Sequence, residues 1–140
     1  MRLFKRILIS LILISILMSI GCSSSGPTTE NIKPAIEKAL KQEVPKGLVK
    51  GETVALARKA VTVDKVEIIK IGQSDKIKIM DFTVTYWPVK VKVEGTCKDR
   101  FDINEGIFDF EGEMDIFVFK DPNNGEWNLW KDKSVINMYK

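Results

Sequence analysis

The sequence contains no histidine. That absence removes the commonest general base, the commonest zinc ligand and every Ser-His or Cys-His nucleophile pairing. Carboxylate-only chemistry such as glycoside hydrolysis survives it. Cysteine is scarce too: Cys22 and Cys97 are the two in 140 residues, so no multi-disulfide framework is available. There is also no charge excess to attract nucleic acid. The formal +3 of the whole chain comes from Arg2, Lys5 and Arg6, and beyond them 19 basic side chains face 19 acidic ones. No nucleophile or phosphate-binding motif occurs either. Together these absences lead to the expectation of a non-enzymatic protein with no cofactor and no metal site.

One long apolar run is present, at the start. Behind the basic residues Arg2, Lys5 and Arg6, residues Ile7 to Ile20 are interrupted only by Ser10, Ser15 and Ser19. Fourteen residues suit the apolar region of a secretory signal and fall short of the about 20 needed to span a bilayer. The run ends in Ser19-Ile20-Gly21-Cys22, followed by Ser23-Ser24-Ser25-Gly26-Pro27. This segment resembles the lipobox signal of bacterial lipoproteins, with Ser19 where leucine is usual. The resemblance implies cleavage between Gly21 and Cys22 and attachment of a diacylglyceryl group to the Cys22 thiol. It further implies a cell-envelope protein partnered with a membrane through its lipid. Ser23 after the cysteine is similar to the sorting pattern that sends such proteins to the outer membrane, facing the periplasm, in hosts with two membranes. Two or three acyl chains anchor stably where one does not, at roughly 0.8 kcal/mol per buried CH₂.

The domain organisation expected is therefore a signal peptide over 1–21, a lipidated tether over 22–30, and a single domain over 31–140. That domain has a globular composition, the whole chain being 44% hydrophobic and 29% charged. Asn31 is expected to cap a helix whose stripe is Ile32, Ala35, Ile36, Ala39 and Leu40, with Pro34 tolerated in the first turn and Pro45 and Gly47 as the stop. Residues 53–61 read equally as a second short helix or as the start of β structure.

From Val61 the pattern is β. Val66 to Ile71 is a strand without clean alternation, Gln73-Ser74-Asp75 a turn, and Ile77 to Tyr86 a strand with Met80, Phe82, Val84 and Tyr86 on one face. Trp87-Pro88 is expected to interrupt it. Val89, Val91 and Val93 alternate with Lys90, Lys92 and Glu94. After a charged loop over 98–106, Phe108, Phe110, Met114, Ile116 and Val118 alternate with Asp109, Glu111, Glu113 and Asp115. Asp121-Pro122-Asn123-Asn124-Gly125 reads as a hairpin turn and Trp127 to Trp130 as the returning strand. The fold class expected is α+β, with one or two N-terminal helices packed on a curved four- to five-stranded antiparallel sheet. In element order this resembles the cystatin-like and nuclear-transport-factor-like folds, an order that implies architecture and no function.

The acidic series Asp109, Glu111, Glu113, Asp115 is the most conspicuous cluster. Alternate residues on a strand stand roughly 7 Å apart, too far for all four to hold one ion. Pairing with Lys90 and Lys92 on an adjacent antiparallel strand is the expected arrangement, with these charges outward. Asp121 to Glu126 lacks the closing glutamate of a calcium loop. Trp87, Trp127 and Trp130 could line a binding groove or fill a core, and Trp127 and Trp130 should point to opposite faces. Cys97 shares parity with Val89, Val91 and Val93, so a bulge-free strand buries it. Three functional readings remain: a lipid-anchored interaction module, a binder of a small apolar ligand in the concavity between helix and sheet, and a carboxylate-based glycan hydrolase. A cavity of ligand size between helix and sheet separates the first two, and two convergent carboxylates in a cleft would mark the third.

Overall fold

A computed structural model describes residues 26–51, 57–101 and 106–140. Gly21, Cys22, residues 53–56 of the ambiguous segment and residues 102–105 of the charged loop lie outside the described residues.

Helix α1 spans Thr29–Gln42. It starts two residues before Asn31, because Thr28 is the cap. The Thr28 side chain accepts from the Asn31 N–H at 3.4 Å, while Asn31 Oδ1 accepts from the Thr28 N–H at 2.7 Å. That reciprocal pair satisfies two of the donors every helix start leaves over. Pro34 consequently lies beyond the first turn, inside the helix, where it forgoes the bond to the Glu30 carbonyl. The apolar stripe faces the sheet, with Ile32, Ile36 and Leu40 fully buried. The chain then turns through a short 3₁₀ segment, Lys46–Leu48. Isolated bridges tie it to both sides of the sheet: Val44 to Arg58 and Val49 to Phe110.

Five antiparallel strands follow: β1 (Arg58–Ile71), β2 (Asp75–Ile79), β3 (Phe82–Asp99), β4 (Ile107–Lys120) and β5 (Trp127–Trp130). The order across the sheet is β1-β3-β4-β5, and β2 extends β3 beyond the end of β1. The class is α+β, and this is the architecture the sequence pattern leads to. A second helix, α2 (Ser134–Tyr139), closes the chain and has no counterpart in the sequence reading.

The β3–β4 register runs without a shift from Tyr86↔Phe119 to Lys98↔Ile107. All the irregularity falls on β1, which slips between Ala60/Thr62, Val63/Lys65 and Ile68/Lys70 against β3. Each slip is a bulge that bends the strand and breaks its period of two. This explains why Val66–Ile71 fails to alternate and why Val61 and Ile69 are exposed despite being apolar.

Two strand expectations are corrected. Ile77 to Tyr86 is not one strand: Ile79 pairs with Phe82 across a two-residue turn at Met80-Asp81. Met80 has a φ of 53°, a backbone region where glycine is usual, so nothing in its side chain announces the turn. Conversely, Trp87-Pro88 does not interrupt β3. The Pro88 carbonyl accepts from the Gly72 N–H at 2.7 Å, so proline's donorless side faces the same flank. There β1 has ended and β2 has not begun, and no ladder bond is lost. The ambiguity over 53–61 resolves as strand from Arg58 onward.

The sheet buries a different side at each end. On the α1 side, Val89, Val91, Val93 and Cys97 of β3 and Phe110, Ile116 and Val118 of β4 form one core with the helix stripe. On the other side, Ile77, Val84, Tyr86, Phe117 and Ile136 form a second, smaller core under α2. The changeover falls at Trp87-Pro88. Trp127 packs with the first core and Trp130 with the second, in line with their opposed parity.

Candidate functional site

Asp109, Glu111, Glu113 and Asp115 lie on the side of the sheet away from α1, next to the strand that carries Lys90 and Lys92. Lys90 reaches Glu113 at 3.4 Å, Lys92 reaches Glu111 at 3.4 Å, and Lys50 reaches Glu111 at 2.7 Å. Lys50, then Lys92, hold the Glu111 carboxyl below its ordinary range, and Glu111 in turn raises Lys50. Lys65 and Glu67 on β1 extend the same charged surface at 2.9 Å. These ladders are solvated, and such pairs contribute little each. No group of three or more potential ligating side chains gathers among the described residues.

Asp121 to Gly125 is a turn. Asp121 accepts from the Asn123 N–H, Asn124 from the Glu126 N–H, and Gly125 supplies a φ of 72°. Cys97 is fully buried on the first core face.

The concavity beneath α1 is filled. The cavity between Ile36, Leu40, Met114 and Leu129 measures about 10 Å³, room for at most a single water. The larger space opens on the opposite side, beside α2: a groove of about 490 Å³. Its floor is Tyr86, Pro88 and Phe117, and its polar walls are Asp75, Asp115, Lys133 and Asn137. A shallower hollow of about 300 Å³ continues it past Pro88 toward Lys70 and Lys90.

The groove is built by the changeover of faces at Pro88. Tyr86 and Phe117 meet edge to face, with centroids 6.1 Å apart, and Trp130 stacks on Phe119 at 4.2 Å. These rings seat α2 through Ile136. Asp132 steadies the helix entry by accepting from the Ser134 N–H and hydroxyl. Lys133 and Lys140 then overhang the floor, with Nζ 6.0 Å from the Phe117 centroid and 5.9 Å from that of Tyr86. At the far wall, Asp75 accepts from Lys140 Nζ at 2.6 Å and from the Tyr86 hydroxyl at 3.0 Å. Lys140 first, then the Lys76 N–H and the Tyr86 hydroxyl, pull the Asp75 carboxyl down to about 2. The groove thus presents the Asp75 carboxylate, the ammonium groups of Lys133 and Lys140 and the Asn137 amide around an apolar floor. That set can hold a polar ligand or a peptide segment by hydrogen bonds.

No family model, curated protein or solved structure matches the chain. Of the groove residues, Gln73, Asp75, Tyr86, Pro88 and Asp115 belong to features singled out in the sequence, each for other reasons. A signal was present nonetheless. Ile116-Phe117-Val118-Phe119 is a continuous apolar run inside an alternating strand, the mark of a segment buried on both sides.

Proposed function

We propose that this chain is a lipid-anchored cell-envelope lipoprotein whose folded part is a non-enzymatic binding module. The lipid-bearing residue is Cys22, freed by cleavage after Gly21. The supporting residues are the basic start, the short apolar run and Gly21-Cys22. The first helix of the domain is capped at Thr28, only a short Ser/Gly/Pro tether beyond Cys22. No helix among the described residues is long and apolar enough to cross a membrane.

The observation that carries the binding reading is the placement of open space. The groove beside α2 has about 490 Å³, within the range of ligand sites, while the space under α1 has about 10 Å³. This favours a partner or ligand met on the α2 side over an apolar ligand beneath α1. Asp75 and Asp115 share the groove, an arrangement that touches on carboxylate catalysis. A glycosidase acid needs a raised pKa, and Asp75 is held in the opposite direction, near 2. Asp75 is therefore not that acid, and its carboxylate is already engaged by Lys140 Nζ and the Tyr86 hydroxyl, which suits binding.

Two measurements test it. Metabolic labelling with an alkyne fatty acid is expected to mark the wild type and not Cys22→Ser, and the variant should leave the membrane fraction. In titrations with small polar fragments and short peptides, amide shifts are expected at Asp75, Lys133 and Asn137. Shifts concentrated along α1 would place binding beneath the helix instead.

A further inference from the structure

Hairpin β2–β3 ends in an exposed apolar tip. Met80 is 78% exposed and Phe82 48% exposed, flanked by the exposed Lys76 and Lys78 of β2. Met80 holds a positive φ where glycine would sit without strain. Isolated exposed apolar residues are ordinary, but a solvent-facing methionine in a tight turn and a phenylalanine closing it, with the exposed Asp81 between them and lysines behind, form a small amphipathic prow.

The tether fixes what such a prow can meet. Gly26 sits against the Trp87 indole, where an added Cβ would lie 3.8 Å from Nε1. Only four Cα steps separate Cys22 from Gly26, a reach of at most ~14 Å. Phe82 is five residues up β3 from Trp87, or ~17 Å, whereas Asp99 and the neighbouring Phe101 lie ~40 Å away toward the other end. A lipid at Cys22 therefore keeps the β2–β3 end of the sheet within easy reach of the bilayer, while the Phe101 end can stand much farther off. Asn137 of α2 and its flanking residues Lys133 and Lys140 line the groove, and by helical spacing Met138 and Tyr139 turn from it. Both are exposed, Met138 by 76%, on a helix that packs on β2.

We infer that the Met80–Phe82 tip is a second membrane contact, seated in the headgroup region of a phospholipid bilayer with Lys76 and Lys78 toward anionic headgroups. The inference rests on the lipid-anchor reading of Cys22. Its consequence is orientation: with the tip down, the domain stands at a fixed angle and the groove beside α2 keeps a set height above the membrane. Amphipathic side chains serve this role because their apolar part enters the boundary while their charge stays in water.

The test uses the full lipidated protein reconstituted in phosphatidylethanolamine/phosphatidylglycerol vesicles. An environment-sensitive fluorophore is placed on Met80→Cys or, as the distal control, on Phe101→Cys. The expected result is a blue-shifted emission at position 80, quenched several-fold more strongly by headgroup-proximal spin-labelled lipid than at position 101. Equal quenching at the two positions, or a water-like spectrum at 80 on vesicle-bound protein, overturns the inference. Shielding at 80 that follows protein density instead of quencher lipid also overturns it, in favour of contact between copies. Failure of the anchor reading looks different: the protein does not stay with the vesicles, and its Cys22 is unmodified.

Discussion

Gly95→Ala is the substitution whose cost can be worked from the structure most directly. Gly95 lies on β3 opposite Phe110 and beside the bulged stretch of β1. A Cβ there would stand 2.2 Å from the Thr62 carbonyl oxygen and 2.8 Å from the Phe110 ring. Phe110 is completely buried, so its ring has nowhere to go. The Thr62 contact is worse, because the atom is backbone and no rotamer relieves it. Overpacking a core typically costs about 1–3 kcal/mol. Two contacts this close, one with backbone, place Gly95→Ala at the upper end, about 3 kcal/mol. For a domain of this size that is a fall in Tm of roughly 10 °C. Gly47→Ala is the control, since nothing lies within 4 Å of its added Cβ; it should be neutral or stabilise by up to about 1 kcal/mol. Thermal or urea unfolding of the two variants beside the wild type makes the measurement. If Gly95→Ala melts within about 2 °C of the wild type, β1 is not seated over β3 in this register and the bulge assignment is wrong.

The Asp75 carboxyl should titrate near 2 by NMR, and Lys140→Met should move it back toward its ordinary 3.8. Because its folded value is depressed, its contribution to stability is present above about pH 4 and is lost as pH falls toward 2; Asp75→Asn should remove that part of the acid dependence. Cys97 should label slowly with a water-soluble maleimide in the native protein and quickly after unfolding, since it is fully buried; fast native labelling or a non-reduced dimer would contradict its place in the core. Lys92→Ala should cost no more than about 1 kcal/mol in urea unfolding, as expected for a solvated ion pair, and a larger loss would show that the charged ladder carries more of the fold than its exposure suggests.

The parts of the fold that were legible in the sequence are those where one face is buried and the other wet. β4 keeps period two from Phe108 to Ile116, and its charges pair with Lys90 and Lys92 as that alternation implies. The β4–β5 turn was equally readable, because Asp121, Asn124 and Gly125 each do local work that needs no tertiary context. The β2–β3 turn was hidden because Met80 and Asp81 preserve the spacing of a continuous strand while the backbone reverses. Pro88 misled for the opposite reason: a proline in a central strand is a break unless a neighbouring strand happens to be missing, and that gap depends on where β1 and β2 end. Beyond the apolar run from Ile116 to Phe119, the groove was hidden because it combines β2, β3, β4 and α2, and α2 is a six-residue helix too short to show a period. Val61 and Ile69 are apolar yet exposed, since each sits at a bulge that the local pattern does not encode.

Whether Cys22 carries the lipid is read from the intact mass of the protein purified from membranes. The expected mass is that of a chain beginning at Cys22, with residues 1–21 gone and a diacylglyceryl thioether on the sulfur. A mass matching a chain with a bare Cys22 thiol, cleaved or uncleaved, would contradict it.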